Sequence, residues 1–283
     1  MTEISTIHLE RTSPQVAKIT FTNPPVNLIV GETVVRLAEI VTALQTDPDI
    51  QVVVFDSGVP DFFFNHFDLA AAADLPAPED PNAVPVWTDI VLKLTKAPYI
   101  TVASIRGRTR GGGNELALAF DLRYASREKA LFGQPEVGGG LLPGGGGTER
   151  LPRAIGRSRA LEVILTSADY DADTAERWGW ITRAIPDAEL DSYVDGIVRR
   201  LASFDRTSLA SAKAMVNRAV LPPDGDLIAA YHEFAHSLTL PGFLTRIAGA
   251  EAIVAQAGID FEYRLGEYIG IANQQQPEGN HHP

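Results

Sequence analysis

The chain has 283 residues, 45% of them hydrophobic and 21% charged, which is ordinary for a soluble globular protein and enough to bury a sizeable core. Its 24 basic and 36 acidic residues leave a formal net charge of -12, which repels phosphate backbones and anionic lipid and excludes nucleic acid and membrane as main partners. There is no cysteine, so disulfides, thiolate nucleophiles and cysteine metal sites are excluded as well.

The start, MTEISTIHLERTS, has no basic segment followed by an apolar one, and no apolar run reaches about 18 residues, so the sequence reads as soluble and cytoplasmic. AKITFTN at 17 to 23 and VVVFDS at 52 to 57 are short and rich in β-branched and aromatic residues, which predicts strands. Between them ETVVRLAEIVTAL repeats apolar residues at helical spacing. YITVASIRG at 99 to 107 predicts a buried strand, the glycines after it open a helix, and LRYAS and ALFG predict two more short strands. Strands alternating with helices imply a mostly parallel α/β layer structure. From about residue 157 the pattern turns helical, through SRALEVILTS, ADTAERWGW, ELDSYVDGIVRRLAS and SLASAKAMVNRAV. NQQQPEGNHHP, from 273, is polar and aperiodic and reads as a frayed tail in which His281 and His282 are solvated.

Two stretches carry the chemistry. In GRTRGGGNELALAFDLRYA, residues 107 to 125, three glycines run into Glu115 and then into an apolar helical turn. Glycines let a ligand approach closely, and the first NH groups of the helix they open have no internal partner, which favours negative charge there. The helix dipole alone explains many first-turn glutamates. Here the apolar turn places the carboxylate at the edge of the core, where burial raises its pKa and suits it to proton transfer. In FGQPEVGGGLLPGGGGTERL, residues 132 to 151, Glu136 precedes a loop in which seven residues from 138 to 147 are glycine. So much glycine is costly in chain entropy for a plain connector, although a flexible surface loop with an exposed glutamate is the competing reading. Neither stretch has a Walker, G-x-G-x-x-G or G-x-S-x-G pattern, so nucleotide-fold and nucleophile-elbow explanations fail.

From SIRGRTRGGGNELALAFDLRYAS through ALFGQPEVGGGLLPGGGGTERLPRAIG to ALEVILTSADYDADTAERWGWITRAIP, the sequence resembles the crotonase family, the enoyl-CoA hydratase/isomerase superfamily. The resemblance covers roughly residues 5 to 220. It implies an α/β fold, a crotonase-like spiral of β-β-α turns over 1-203, a helical C-terminal assembly region over 204-272 and a flexible tail over 273-283. It further implies a homotrimer or hexamer and an acyl-CoA thioester substrate. Two backbone NH groups, of Gly112 and of Phe67 in FFNHFDL, are assigned by it to an oxyanion hole, each such donor being worth roughly 2.7 to 4 kcal/mol. By the same resemblance Glu115 is the water-activating base and Glu136 the proton donor to the α carbon, while His66, Asp68, Gly111, Pro135 and Gly144 contact substrate. The expected reaction is hydration of a 2-enoyl-CoA, with no metal or redox cofactor and coenzyme A entering only as part of the substrate.

The chain also departs from the family pattern. His66 stands where the loop usually has glycine and reads as loop-fixing, with acid/base chemistry as the alternative, and Phe67 replaces a small residue and narrows the acyl pocket. Arg108 and Arg110 read as surface ion-pair partners, with coenzyme A phosphates as the alternative. The glutamates are 21 positions apart, one more than expected, and the extra residue falls in the turn near SREKA. The usual E-G-x-x-A-F ending is not visible. Competing functions are isomerisation of an enoyl-CoA, a noncatalytic scaffold, and a zinc hydrolase built on H-E-x-x-H in YHEFAHSL, with His232, Glu233, His236 and a third ligand such as Glu251. The ordinary reading of that motif is a helix with two partly buried histidines.

Overall fold

The computed structural model describes residues 6–76 and 83–275. Strands β1 (Ile7–Ser13) and β2 (Val16–Phe21) pair as a hairpin, then come helix α1 (Gly31–Thr46), strand β3 (Val52–Ser57), a 3-10 turn at Leu69–Asp74 and α2 (Val86–Lys96). Next are β4 (Ile100–Ile105), β5 (Arg108–Arg110), α3 (Gly112–Ala119), β6 (Leu122–Ser126), β7 (Leu131–Gly133), a second 3-10 turn at Glu136–Gly139 and α4 (Gly147–Ile155). The rest contains α5 (Arg157–Thr166), β8 (Asp169–Asp171), α6 (Ala172–Trp178), β9 (Arg183–Ile185), α7 (Leu190–Ala202) and α8 (Arg206–Val220). Four further helices close the described chain: α9 (Asp224–Ser237), α10 (Pro241–Ala257), α11 (Asp260–Tyr263) and α12 (Leu265–Gln275).

The main sheet has the order β1-β2-β3-β4-β6-β9 and is parallel apart from the β1–β2 hairpin. A smaller sheet has the order β5-β7-β8, and Phe62 adds a bridge to Arg108 at its edge. The chain therefore visits the main sheet, then the small sheet, then a helix: β3, Phe62, α2; β4, β5, α3; β6, β7, α4. This is the expected spiral of β-β-α turns.

Alternation along the strands divides the core in two. Val53, Phe55, Ala103 and Ile105 enter the larger cluster with residues of α1, α2 and α3, whereas Val52, Ile100 and Val102 point the other way, onto Leu190, Val194 and Val198 of α7. Both faces are covered, which is why β4 is buried at every position, Thr101 and Ser104 included.

Two expectations are corrected. The region read as helical contains β8 and β9, whose three residues each are too few to show a period. Residues 273–275, read as the start of a frayed tail, belong to α12: the Asn273 amide donates to Gly138 O at 2.8 Å and its Oδ1 accepts from Arg246 Nε at 2.9 Å. His281 and His282 lie outside the described residues. Among the described residues no single helix is long and apolar enough to cross a membrane.

Candidate active site

The turn from β5 into α3 passes through Gly111 at φ 52°, a conformation that L side chains rarely adopt. Gly111 N donates to Gly133 O at 3.1 Å, tying this turn to the small sheet, and every residue of α3 is buried. Glu115, in the first turn, is only 3% exposed. Its Oε1 accepts the NH of Gly145 at 2.8 Å and of Gly147 at 2.9 Å, so the second glycine-rich stretch holds the carboxylate of the first. A Cβ on Gly145 would stand 2.6 Å from Glu115 Oε2 and 2.6 Å from Trp87 Nε1, so only glycine permits this approach. The buried Trp87 indole NH faces the same point and has no hydrogen-bond partner among the described residues.

Glu136 begins the second 3-10 turn and is half-buried. Gln134 Nε2 donates to its two oxygens at 3.0 and 3.1 Å. Gln134 Oε1 accepts from Asn114 Nδ2, and Asn114 Oδ1 accepts from Trp180 Nε1 at 2.9 Å. An indole NH can only donate, which fixes the orientation of both amides and turns the NH2 end of Gln134 toward Glu136. The two carboxylates are neighbours: a Cβ on Gly147 would stand 3.0 Å from Glu115 Oε1 and 3.2 Å from Gln134 Nε2, the nitrogen that reaches Glu136. Burial pushes Glu115 well above the usual carboxylate range, and the charge of Glu136 adds to this against the two backbone donors. Burial likewise pushes Glu136 up to about 7, opposed by its own backbone NH, the hydrogen bond from Gln134 and the charge of His66.

The loop bearing Phe67 is clipped to Ile29, whose NH donates to His66 O at 3.0 Å and whose carbonyl accepts from Asp68 N at 2.9 Å. In a trans peptide the NH opposes the C=O, so the Phe67 NH points away from Ile29. Neither this NH nor that of Gly112 donates to another described backbone group. The Phe67 ring lies against Gly112, where a Cβ would stand 2.5 Å from its Cε2, and meets Trp87 edge-on at 4.9 Å between centroids.

The other sequence candidates have identifiable partners. Asp68 caps the first 3-10 turn by accepting from Ala70 N at 3.0 Å. Pro135 is buried and its carbonyl accepts from Ser167 Oγ at 3.2 Å. Gly144 is packed against Phe234 of α9, whose Cβ would lie 2.5 Å from a Cβ there, while its neighbours Gly145 and Gly147 hold Glu115. His66 Nε2 meets Glu262 Oε2 of α11 at 3.0 Å.

Arg108 and Arg110 are not surface ion-pair partners. Arg110 is fully buried, its Nε and Nη2 on Asp169 at 2.8 and 2.6 Å and its Nη1 on the Glu262 carbonyl. Arg108 Nε donates to Tyr263 O at 2.9 Å, and its guanidinium lies 4.6 Å from the Tyr263 ring centroid and 5.5 Å from that of Phe62. The pairing of β5 inside the small sheet turns these side chains toward β8 and α11. His232, Glu233 and His236 are exposed on α9, not partly buried, because α9 packs through Leu227, Ala230 and Ser237 on its other side. Among the described residues no group of three His, Asp or Glu is placed to hold a metal ion.

Sequence reasoning missed Gln134, Asn114, Trp180, Trp87 and Glu262. Gln134 alone had a signal, since it stands two residues before Glu136, just after β7, and a side chain so near in sequence can reach the carboxylate across the turn at Pro135.

The sequence profile described as enoyl-CoA hydratase/isomerase matches residues 11–238, most of the chain. The chain belongs to this family. A Mycobacterium bovis protein whose proposed activity is enoyl-CoA hydratase is 33% identical over 219 residues, covering 76% of this chain and 82% of the relative. A solved Streptomyces avermitilis structure, also of a protein proposed as an enoyl-CoA hydratase, is 40% identical with a TM-score of 0.84, covering 95% of this chain and 98% of that one. A monofunctional enoyl-CoA isomerase of Mycobacterium smegmatis has the same fold at a TM-score of 0.64 and 29% identity, covering 76% of this chain and 94% of that one.

Proposed function

We propose that the chain adds water across the double bond of a 2-enoyl-CoA thioester. The observation that carries this reading is the pair of neighbouring carboxyl groups, both pushed up by burial and held by different donors. Two such groups close together share one negative charge near neutral pH. The two backbone NH groups on Glu115 favour the charge there and leave the proton on Glu136. Glu115 then takes a proton from water as the oxygen attacks the β carbon, and Glu136 delivers its proton to the α carbon. Water is consumed, one proton returns to the pair, and no metal or redox cofactor is required. The NH groups of Phe67 and Gly112 hold the thioester oxygen as charge develops on it. The Phe67 and Trp87 rings limit the acyl chain, and the unpartnered Trp87 indole NH supplies a donor beside Glu115 Oε2. Assembly as a homotrimer or hexamer belongs to the same proposal, with Met215, Val216 and Val220, exposed on α8, as surface to be covered.

Hydration of crotonyl-CoA and longer trans-2-enoyl-CoA thioesters, followed by loss of the conjugated absorbance, tests the reading. Glu115→Gln and Glu136→Gln are each expected to lower kcat by about 10² to 10⁴, the usual range for an acid or base group. The second reading, isomerisation, is favoured by the solved isomerase of the same fold. Conversion of a 3-enoyl-CoA without hydration of its 2-enoyl isomer would select it.

A further inference from the structure

Three departures from the family pattern, His66, the pair Arg108 and Arg110, and the C-terminal sequence, meet at one place. Glu262 of α11 lies over the loop that presents Phe67, and its Oε2 takes both His66 Nε2 and Asn65 Nδ2, each at 3.0 Å. The other ring nitrogen, His66 Nδ1, is 2.9 Å from the carbonyl of Phe67. A carbonyl can only accept, and so can a carboxylate. Both ring nitrogens therefore carry hydrogen, and His66 is an imidazolium paired with a carboxylate. The pair is largely buried, with side-chain exposures of 22% and 16%. It is held from behind by Arg110 and Arg108, which bind the carbonyls of Glu262 and Tyr263. It also faces the chemistry: a Cβ on Gly111 would stand 3.0 Å from both His66 Cβ and Glu136 Oε1.

We infer that Glu262 is a positioning residue of the active site: by holding His66 as a cation it fixes the turn that aims the Phe67 NH and keeps a positive charge beside Glu136. The inference rests on the proposed acyl-thioester reading. His66 O is engaged by Ile29 N and Phe67 O by the His66 Nδ1 hydrogen, so the peptides before and after Phe67 are both held and the direction of the Phe67 NH is set between them. The charged groups facing His66 are Glu262 from α11, Glu136 from its turn and Arg110 from β5. Burial and Arg110 work against the cation, and Glu262 with the Phe67 carbonyl more than reverses them, leaving His66 raised. Glu262 moves the opposite way: burial would raise it, but His66, Asn65 and Arg110 hold it below the usual carboxylate range.

The test uses full-length protein with 15N-labelled histidine, its His66 ring resonances assigned with His66→Asn, and butyryl-CoA labelled with 13C at the thioester carbonyl. Wild type is expected to show an imidazolium at pH 7.5 and a strongly polarised bound carbonyl. Glu262→Gln is expected to lose the imidazolium, weaken the polarisation and lower kcat for crotonyl-CoA by roughly tenfold with KM little changed, the scale of one charge-assisted hydrogen bond. Glu262→Asp, which keeps the charge, is expected to restore much of all three. A neutral His66 in wild type, or a carbonyl shift indifferent to Glu262→Gln, overturns the inference. Wild type that binds the thioester and responds to Glu262→Gln but hydrates nothing overturns the hydratase reading alone. Wild type that does not bind the thioester overturns both.

Discussion

Glu115 rests on main chain and Glu136 on side chains. The first is gripped by the NH groups of Gly145 and Gly147, donors that no substitution can delete without proline but that any added Cβ can push aside. The second depends on Gln134, which depends on Asn114, which depends on Trp180, and each of these can be removed singly. The contrast separates two kinds of precision. A backbone cradle is rigid and demands empty space, whereas a side-chain relay tolerates bulk and demands unbroken hydrogen-bond polarity.

The strongest way to break the contrast is at the cradle. Gly145→Ala forces a Cβ to within 2.6 Å of both Glu115 Oε2 and Trp87 Nε1. Overpacking of this sort costs about 1–3 kcal/mol, and a displaced catalytic group costs on the order of 10² in rate. Steady-state hydration and thermal melts read the two effects, and an unchanged kcat would show that the cradle does not position Glu115. Gln134→Met should do less, lowering kcat by roughly tenfold and stability by about 1–3 kcal/mol as Asn114 Nδ2 loses its partner. It also sharpens the pH dependence. Gln134 favours the ionised form of Glu136, so its removal should move the alkaline limb of kcat/KM, set in wild type by the Glu136 pKa of about 7, to higher pH.

Stability carries the same signature with a definite sign. The folded pKa of Glu136 lies above its ordinary value, so its stabilising contribution is complete below 4.5 and is lost as pH rises through about 7. Melting temperatures of Glu136→Gln should therefore gain on wild type between pH 5 and pH 8. The smallest effect is expected at the far end of the relay. Trp180→Phe keeps a ring beside Phe132 and Tyr170 and removes only the donor to Asn114, which should cost about 1 kcal/mol in a thermal melt and a few-fold in kcat.

The same contrast decides what was legible in the sequence. Close approach of backbone to a carboxylate leaves glycines in a row, and Gly111 to Gly113 and Gly144 to Gly147 marked both halves of the cradle before any coordinates. Strands β3, β4 and β6 were legible because short segments rich in β-branched, aromatic and other apolar residues, VVVFDS, ITVASI and LRYAS, stand between turn signals. The relay was not, since Asn114 and Trp180 are 66 positions apart and nothing in local pattern links an amide to an indole. Helix α2, in a segment for which no expectation was stated, buries Trp87, Ile90, Val91 and Leu94 at helical spacing. Arg108 and Arg110 were misplaced because charge suggests solvent, whereas the pairing of β5 with β7 turns them toward Asp169 and the carbonyls of α11.

The clasp of α11 on the Phe67 loop has a consequence for biosynthesis. Asn65 and Glu262 are separated by 197 positions, and His66 and Glu262 by 196. A growing chain has both glutamates, both glycine stretches and all nine of the described strands in hand long before residue 262 is added. The scaffold can therefore assemble from contacts of shorter range, with the last closure waiting for a loop of nearly 200 residues to be drawn shut. The order of translation leaves His66 without its carboxylate until residue 262 has been added.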